Sequence, residues 1–548
     1  MIQKPLRCLA SALAALTLTA AMPGVSFGQQ ADETATPIKH VVVIYDENQS
    51  FDHYFGTYPY ATNPSGVPAF HAKDDTPRVN NLLAGGLLSE NPNSTQPFLL
   101  SHSQAVTCDQ DHDYTPEQAA FDKGLMDKFP QQTGSGNGLD SSGNPLKPGA
   151  SGYCFDAGKG PGIVMAYFDG NTVTGIWNYA QHYAMSDNSF GTNFGPSSVG
   201  AINLITGNTC CATLVPLDAN GVTPGNPSGA IAGGLSYGAL IGDPRPGYDD
   251  CLTTPVLGTA KDTRVIMSGL NVGDLLNKKN LTWGWFAGGF ATTGTNPDGT
   301  PACGATSTGL ASPSGYNDYI PHHEPFQYYK STANPKHLPP SDDSKIGATD
   351  QANHQYDLSY FMTALYEGRL PTVSFLKAKG AFDGHPGYSD PLDEQTWIVN
   401  TINAIAQSPY WKDTAIIIAY DDSDGWYDHA MDTVVSQSDV PDDALTGVGT
   451  CGTTPAGGTP GRCGYGPRLP LIVISPYAKH NYVDHLLTDQ SSILRFIEDN
   501  WSLGRIGNGS NDAKAGTLNG FFDFGDKARN HKLILDPSTG EPIQPDID

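Results

Sequence analysis

Two short β-branched runs, each ending in a polar doublet, constrain this chain more than any other feature. His40-Val41-Val42-Val43-Ile44-Tyr45-Asp46 closes on Glu47-Asn48, and Thr414-Ala415-Ile416-Ile417-Ile418-Ala419-Tyr420 closes on Asp421-Asp422. Near-continuous apolar runs of this length read as strands buried on both faces of a parallel sheet. Open α/β sheets bind ligands just outside the carboxyl ends of their strands. Two strands delivering hard oxygen donors to one edge point to a cation there, and a cation at that edge points to phosphate chemistry.

The rest of the chain fits an α/β class. Residues 38–45, 281–287, 371–378, 414–420 and 469–475 read as strands, and 391–407, 491–501 and 174–184 as helices. Asp390 is placed to cap the helix at 391, Pro391 suits its first turn, and Asp393-Glu394 suit its positive dipole end. Trp397, Ile398, Thr401, Ile402 and Ile405 then form one buried stripe. Strands alternating with helices predict a mostly parallel sheet covered on both faces. Long Gly-, Pro-, Ser- and Asn-rich stretches at about 56–160, 208–270, 286–360 and 430–468 read as insertions into one domain spanning 29–548.

Residues 1–28 read as a secretory signal peptide. Lys4 and Arg7 precede the apolar run Leu9–Ala21, and the small residues Ser26 and Gly28 precede a cleavage point. The expected location is therefore exported, periplasmic or extracellular, with no transmembrane segment. Cys108, Cys154, Cys210, Cys211, Cys251, Cys303, Cys451 and Cys463 remain beyond the signal, an even set that predicts disulfides. Cys451 and Cys463 flank a loop they would staple. The adjacent Cys210 and Cys211 are expected to seek separate partners. A zinc site is the rival reading, but no Cys/His spacing supports it. The formal net charge of −26 argues against nucleic acid and strongly anionic membranes as partners. A small phosphate ester still binds where local cations override the global field.

Three further groups could carry chemistry. Glu47-Asn48 and Asp421-Asp422 serve either as metal ligands or as helix caps and turns. Both members of a doublet reach one ion only where the strand ends and the backbone turns. Ser197, in Gly195-Pro196-Ser197-Ser198, could open a helix, where free amides bind phosphate and the dipole favours an alkoxide. A Gly-Pro-Ser turn with capping serines is the plainer alternative. His112, the pair His322-His323, His385 and His429 lie in polar loops, where imidazoles suit phosphate binding and leaving-group protonation, or are simply surface groups. G-x-S-x-G and P-loop motifs are both missing.

Taken together these motifs resemble the bacterial secreted phosphoesterases that unite one class of phospholipases C with acid phosphatases of the AcpA type. The matching stretches are IKHVVVIYDENQSFDHYFG (38–56), CDQDHDYTPEQ (108–118), VMAYFDGNTVTGIWNYAQHYAMSDNSFGTNFGPSS (164–198), PHHEPFQYY (321–329), HPGYSDPLDEQ (385–395), WKDTAIIIAYDDSDGWYDH (411–429), GYGPRLPLIVISPYAK (464–479) and DQSSILRFIEDNW (489–501). The resemblance implies an alkaline-phosphatase-like, three-layer α/β/α core. It implies that Glu47, Asn48, Asp421, Asp422 and Ser197 hold one divalent metal ion (Ca, Mg, Mn or Zn). It also implies that Ser197 is the nucleophile of a phosphoserine intermediate, and that His112, His322 or His323, and His385 contact the phosphate, with His323 favoured of the pair.

The chain departs from the phospholipase pattern Gly-Pro-Thr-x-Pro-Asn-Arg. It carries Ser197 for threonine and Val199-Gly200-Ala201 for Pro-Asn-Arg. The residues after Trp501 are also too few for another domain of ordinary size. The expected function is thus a metal-dependent acid phosphatase acting on small phosphomonoesters. A phospholipase C acting on a phospholipid head group is the alternative, and a catalytically inactive exported binding protein the second.

Overall fold

The β-branched runs are the centre of an eight-stranded sheet in the computed structural model, which describes residues 33–135, 160–215, 237–251, 264–297, 299–431, 461–525 and 532–543 and the short pieces 142, 144, 154 and 230–232. The strands are β1 (His40–Asp46), β2 (Ala184–Ser186), β3 (Trp283–Ala287), β4 (Gln355–Asp357), β5 (Val373–Lys377), β6 (Thr414–Tyr420), β7 (Leu471–Ile474) and β8 (Tyr482–Asp484), in the order β4-β3-β5-β1-β6-β7-β2-β8. β1 lies parallel between β5 and β6, with Ile44 opposite both Leu376 and Ile418. Only β7 runs against its neighbours; the sheet is otherwise parallel. All five strands read from the sequence are present.

Successive residues of the central strands enter two separate cores, as the period of two requires. Val42, Ile44, Ile416 and Ile418 pack with Ile176 and Trp177 of one helix and Ile398, Ile402 and Ile405 of another. Val41, Val43, Ile417 and Val473 pack on the other face with Ile202, Ile205, Leu276, Ile493 and Ile497. Among the described residues the α-helices of five residues or more are α1 (Phe51–Phe55), α2 (Tyr114–Phe121), α3 (Thr174–His182), α4 (Ser197–Thr206), α5 (Val272–Lys278), α6 (Ser359–Tyr366), α7 (Pro391–Gln407) and α8 (Gln490–Asn500). With α3 and α7 on one face and α4, α5 and α8 on the other, the fold is a three-layer α/β/α sandwich. α7 starts as its sequence predicts, with the Asp390 carboxylate accepting from the amides of Leu392 and Asp393 at 3.0 and 3.2 Å. Trp397 is only half-buried, so the α7 stripe is narrower than expected.

The insertions have more structure than their composition suggests. The stretch 208–270 carries its own four-stranded sheet, in which Cys210–Val215 pairs with Tyr237–Ala239 and with Arg264–Met267. Cys210 and Cys211 do not seek separate partners. They bond to each other, their Cα atoms only 3.0 Å apart across a cis peptide. Cys108–Cys154 and Cys251–Cys303 form the other described bridges. The signal segment, most of the 430–468 insertion and the Cys451 end of the expected Cys451–Cys463 pair lie outside the described residues. No helix among the described residues is long and apolar enough to cross a membrane.

Candidate active site

Three adjacent parallel strands deliver charge to one edge. β1 ends at Glu47-Asn48, β6 at Asp421-Asp422, and β5, between β3 and β1, at Lys377. Asn48 adopts a left-handed backbone, φ 52°, which turns the chain at the strand end and lets consecutive side chains converge. Neither member of that doublet caps the next helix. Ser50 does so, its hydroxyl accepting from the His53 amide at 3.2 Å.

Ser197 is the first residue of α4, as the helix-opening reading anticipates, and it is buried. Its Oγ lies 3.2 Å from Glu47 Oε2 and 3.1 Å from Asp422 Oδ2. The Asn48 amide nitrogen lies 3.4 Å from Asp421 Oδ1, and Asn48 Oδ1 is a buried acceptor with no protein partner among the described residues. α4 is held to this edge from several sides. Gly200 packs on the Asp421 backbone, and Gln490 Nε2 donates to the Asp421 carbonyl at 2.5 Å. Glu117 of α2 accepts from the Gly195 amide at 2.9 Å and from Ser423 Oγ at 2.8 Å. The second helical amide, Ser198, donates to Asp243 at 2.8 Å.

The electrostatics of this cluster call for a cation. Burial pushes the Glu47 and Asp422 carboxyls well above the usual carboxylate range, and neighbouring Asp421 pushes them further. The oxygen-only set of Glu47, Asn48, Asp421, Asp422 and Ser197, with the orphaned Asn48 oxygen inside it, fits a hard divalent ion. A bound ion would supply positive charge beside Ser197 Oγ.

The expected histidines gather around it. His323 Nδ1 lies 3.0 Å from Glu47 Oε1, and the His322 ring stands edge-on to it at 4.3 Å. Burial, followed by the nearby cations, holds His323 well below the ordinary imidazole value, so the Glu47 contact is a hydrogen bond from a neutral ring. Burial also lowers His322 and brings His385 down to about 4. His112 differs. Burial opposes its charge, but Asp422, Asp424 and Asp109 outweigh it and lift its pKa well above the ordinary value. Its Nδ1 sits 2.8 Å from the Gln110 carbonyl and 3.4 Å from Asp424, and its Nε2 3.4 Å from Asn48 Nδ2. The picture of several charged imidazoles therefore narrows to one. His429 is elsewhere, 2.6 Å from Asp52 in an ion-paired cluster with Arg468 and Asp428.

Other residues of the site escape the sequence reading. Lys377 was in plain view, since it ends a buried strand as the two doublets do. Glu117 sits in a matched stretch, but nothing local marks it. Tyr388 and Tyr316 extend the His112–His385 pair outward as a ladder of rings, with centroids 5.9, 4.3 and 4.0 Å apart in succession. Two mixed groups beside Ser197 could also accept an ion by donor type, Glu47, His323 and Asp383, and Asp109, His112, His385 and Asp424; a third, Asp52, Asp428 and His429, is already paired with Arg468. Cys251, Cys303 and His337 also converge, but the two sulfurs are bonded to each other.

The sequence profile of the Phosphoesterase family matches residues 38–504. A non-hemolytic phospholipase C of Burkholderia pseudomallei is 36% identical over 136 residues, covering 24% of this chain and 19% of that protein. A non-hemolytic phospholipase C of Pseudomonas aeruginosa is 30% identical over 144 residues, covering 24% and 20%. These bacterial matches thus span about a fifth of their relatives' length. Non-specific phospholipase C3 of Arabidopsis thaliana is 23% identical over 462 residues, 82% of this chain and 66% of that one. A solved Vibrio parahaemolyticus protein described as in the alkaline phosphatase superfamily overlaps 61% of this chain and 62% of its own, at 10% identity and a TM-score of 0.26, a likeness that carries no argument. With the profile running from the first residues before β1 to just beyond α8, the chain belongs to the phosphoesterase family.

Proposed function

We propose that this chain is an exported, metal-dependent hydrolase of small phosphomonoesters that works through a phosphoserine intermediate. The observation that carries the reading is Ser197 Oγ, at the start of α4 and within 3.2 Å of carboxylates from two different strands. Glu47, Asn48, Asp421 and Asp422 would hold one divalent ion, whose charge would favour the serine alkoxide. Ser197 Oγ would pass its proton to the Asp422 carboxylate that it faces and attack phosphorus as the ester oxygen leaves. His112, the one imidazole whose surroundings favour a proton, is placed to give that proton to the departing alcohol. Neutral His322, whose Nδ1 has no protein partner among the described residues, would donate a hydrogen bond to a phosphate oxygen, while His323 and His385 lie beside the phosphate with their one N–H held by Glu47 and by the Pro386 carbonyl. Water then cleaves the phosphoserine, and the fixed charges supply most of the acceleration.

The serine at 197 and the Val199-Gly200-Ala201 sequence after it favour monoesters. The relatives, phospholipases C by name, favour the second reading, phospholipase C. The deciding experiment assays residues 29–548 on p-nitrophenyl phosphate and p-nitrophenyl phosphorylcholine, with Ser197→Ala as control. Preference for the monoester is expected, with a loss on the order of three decades, about 4 kcal/mol, in the variant. Preference for the diester would move the chain to the phospholipase reading. A loss of less than tenfold would remove Ser197 as nucleophile.

A further inference from the structure

Among the described residues Lys377 is the one lysine or arginine built into the carboxylate edge, and no step above uses it. It is the last residue of β5, and its side chain is 4% exposed. Nζ makes a direct ion pair with Glu47 Oε1 and stands 3.9 Å from Asp421 Oδ2. These oxygens belong to two of the carboxylates expected to hold the metal, one from each strand. Glu47 is thereby divided. Oε1 faces Lys377 and the neutral ring of His323, and Oε2 faces Ser197 Oγ. Asp383, whose amide neighbour His385 donates to it at 3.1 Å, adds a further acid around the same ammonium. On its other side Lys377 lines a small cavity with Ala287, Asp318, Tyr319, His323 and Glu324.

A buried lysine with no metal to serve would need only one carboxylate partner. Here it sits among three acids, and a single divalent ion leaves part of their charge unbalanced. We propose that Lys377 is a positioning residue for the metal centre: a fixed cation that occupies Glu47 Oε1, leaves Oε2 as the single Glu47 donor, and sets how tightly the site holds its ion. The inference rests on the metal reading above. Like charges a few ångströms apart in a buried site repel strongly, so the ammonium weakens metal binding relative to a neutral side chain of equal length. In exchange it keeps the carboxylates together when no ion is bound.

The test is calorimetric titration of Mn²⁺ into chelator-treated, full-length protein carrying Lys377, Lys377→Met or Lys377→Arg, with thermal melting in parallel. Lys377→Met is expected to bind Mn²⁺ on the order of tenfold tighter or more, and to gain more melting temperature from Mn²⁺ than the parent does. Lys377→Arg, which keeps the charge, is expected to bind no tighter than the parent. Equal or weaker binding by Lys377→Met, or tighter binding by Lys377→Arg, would overturn the proposal while leaving the metal site standing. No Mn²⁺ binding by the parent would remove both. Should Lys377→Met not fold without metal, recovery of folding in Mn²⁺ supports the proposal, and failure to fold in Mn²⁺ overturns it.

Discussion

Gly200 of α4 lies directly against the carbonyl oxygen of Asp421, so close that a Cβ at this position would fall deep inside van der Waals contact with backbone atoms. The helix that presents Ser197 and the strand end that presents Asp421-Asp422 are therefore seated backbone to backbone. That close approach fixes Ser197 relative to the carboxylates. It also gives Gly200 a packing reason within the Val199-Gly200-Ala201 stretch.

Gly200→Ala is expected to push the start of α4 off the sheet edge. Overpacking of this kind costs about 1–3 kcal/mol of stability. Displacing Ser197 by a fraction of an ångström is expected to cost at least about tenfold in kcat. Denaturant melts and steady-state kinetics on p-nitrophenyl phosphate measure the two effects. Unchanged kcat in a folded variant would show that the seating is not what sets the position of Ser197.

Chelation addresses the carboxylates. Removing the ion would leave Glu47, Asp421 and Asp422 facing one another around Ser197 Oγ, with burial resisting the ionised form of Glu47 and Asp422. Activity is expected to fall by at least about a hundredfold after dialysis against a chelator and to return with one equivalent of a divalent ion. Asp422→Asn, which keeps shape and removes charge, is expected to demand a higher ion concentration for the same recovery. Full activity in chelator would refute the metal reading.

Glu117 links pH to the turn at Gly195 that precedes Ser197. Burial pushes its carboxyl from 4.5 up to about 8, against the hydrogen bonds from Gly195 and Ser423 that favour the ionised form. The folded protein keeps a proton on Glu117 that the unfolded chain has already released. Its contribution to stability is therefore fully present below about pH 4.5 and is lost as pH rises through about 8, at up to about 1.4 kcal/mol per pH unit between those limits. Glu117→Gln is expected to flatten that part of the stability profile. Urea midpoints from pH 4.5 to 8.5 in the metal-loaded protein measure it, and parallel profiles for variant and parent would contradict the assignment.

The sequence disclosed the parts of this molecule that are local. The β1, β5 and β6 runs are too apolar to be anything but buried strands, and the Asp390-Pro391 start of α7 is a property of four consecutive residues. The doublets were readable because hard donors at buried strand ends have few other uses. The same logic applies to Lys377, which the acid-centred reading passed over. Three-residue strands such as β2 and β8 show no period to detect, and their placement is decided by pairing with β7 and with each other. Glu117 and Gly200 act through contacts with residues hundreds of positions away. The Cys210–Cys211 bridge ran against the expectation that neighbouring cysteines look elsewhere.

The aromatic ladder predicts how the site sorts alcohols. Tyr316, carried on a small hairpin within the 286–360 insertion, stacks on Tyr388 with rings 4.0 Å apart and nearly parallel, and Tyr388 stacks in turn on His385. Tyr316 lies near the acids of the site: after burial, Asp383, Asp109 and Glu47 are what raise its phenol. Both tyrosines are only half-buried, and with Tyr388 sandwiched between His385 and Tyr316 the end ring, Tyr316, is the one a planar group would stack on, beside the histidines proposed to contact phosphate. A planar alcohol gains stacking there of about 0.5–1.5 kcal/mol beyond its buried area. Tyr316→Leu is therefore expected to raise KM for p-nitrophenyl phosphate by about two- to tenfold and to leave KM for glycerol 2-phosphate within about twofold. If both KM values rise together, the hairpin supports the His385 loop rather than touching substrate, and kcat should then fall for both esters as well.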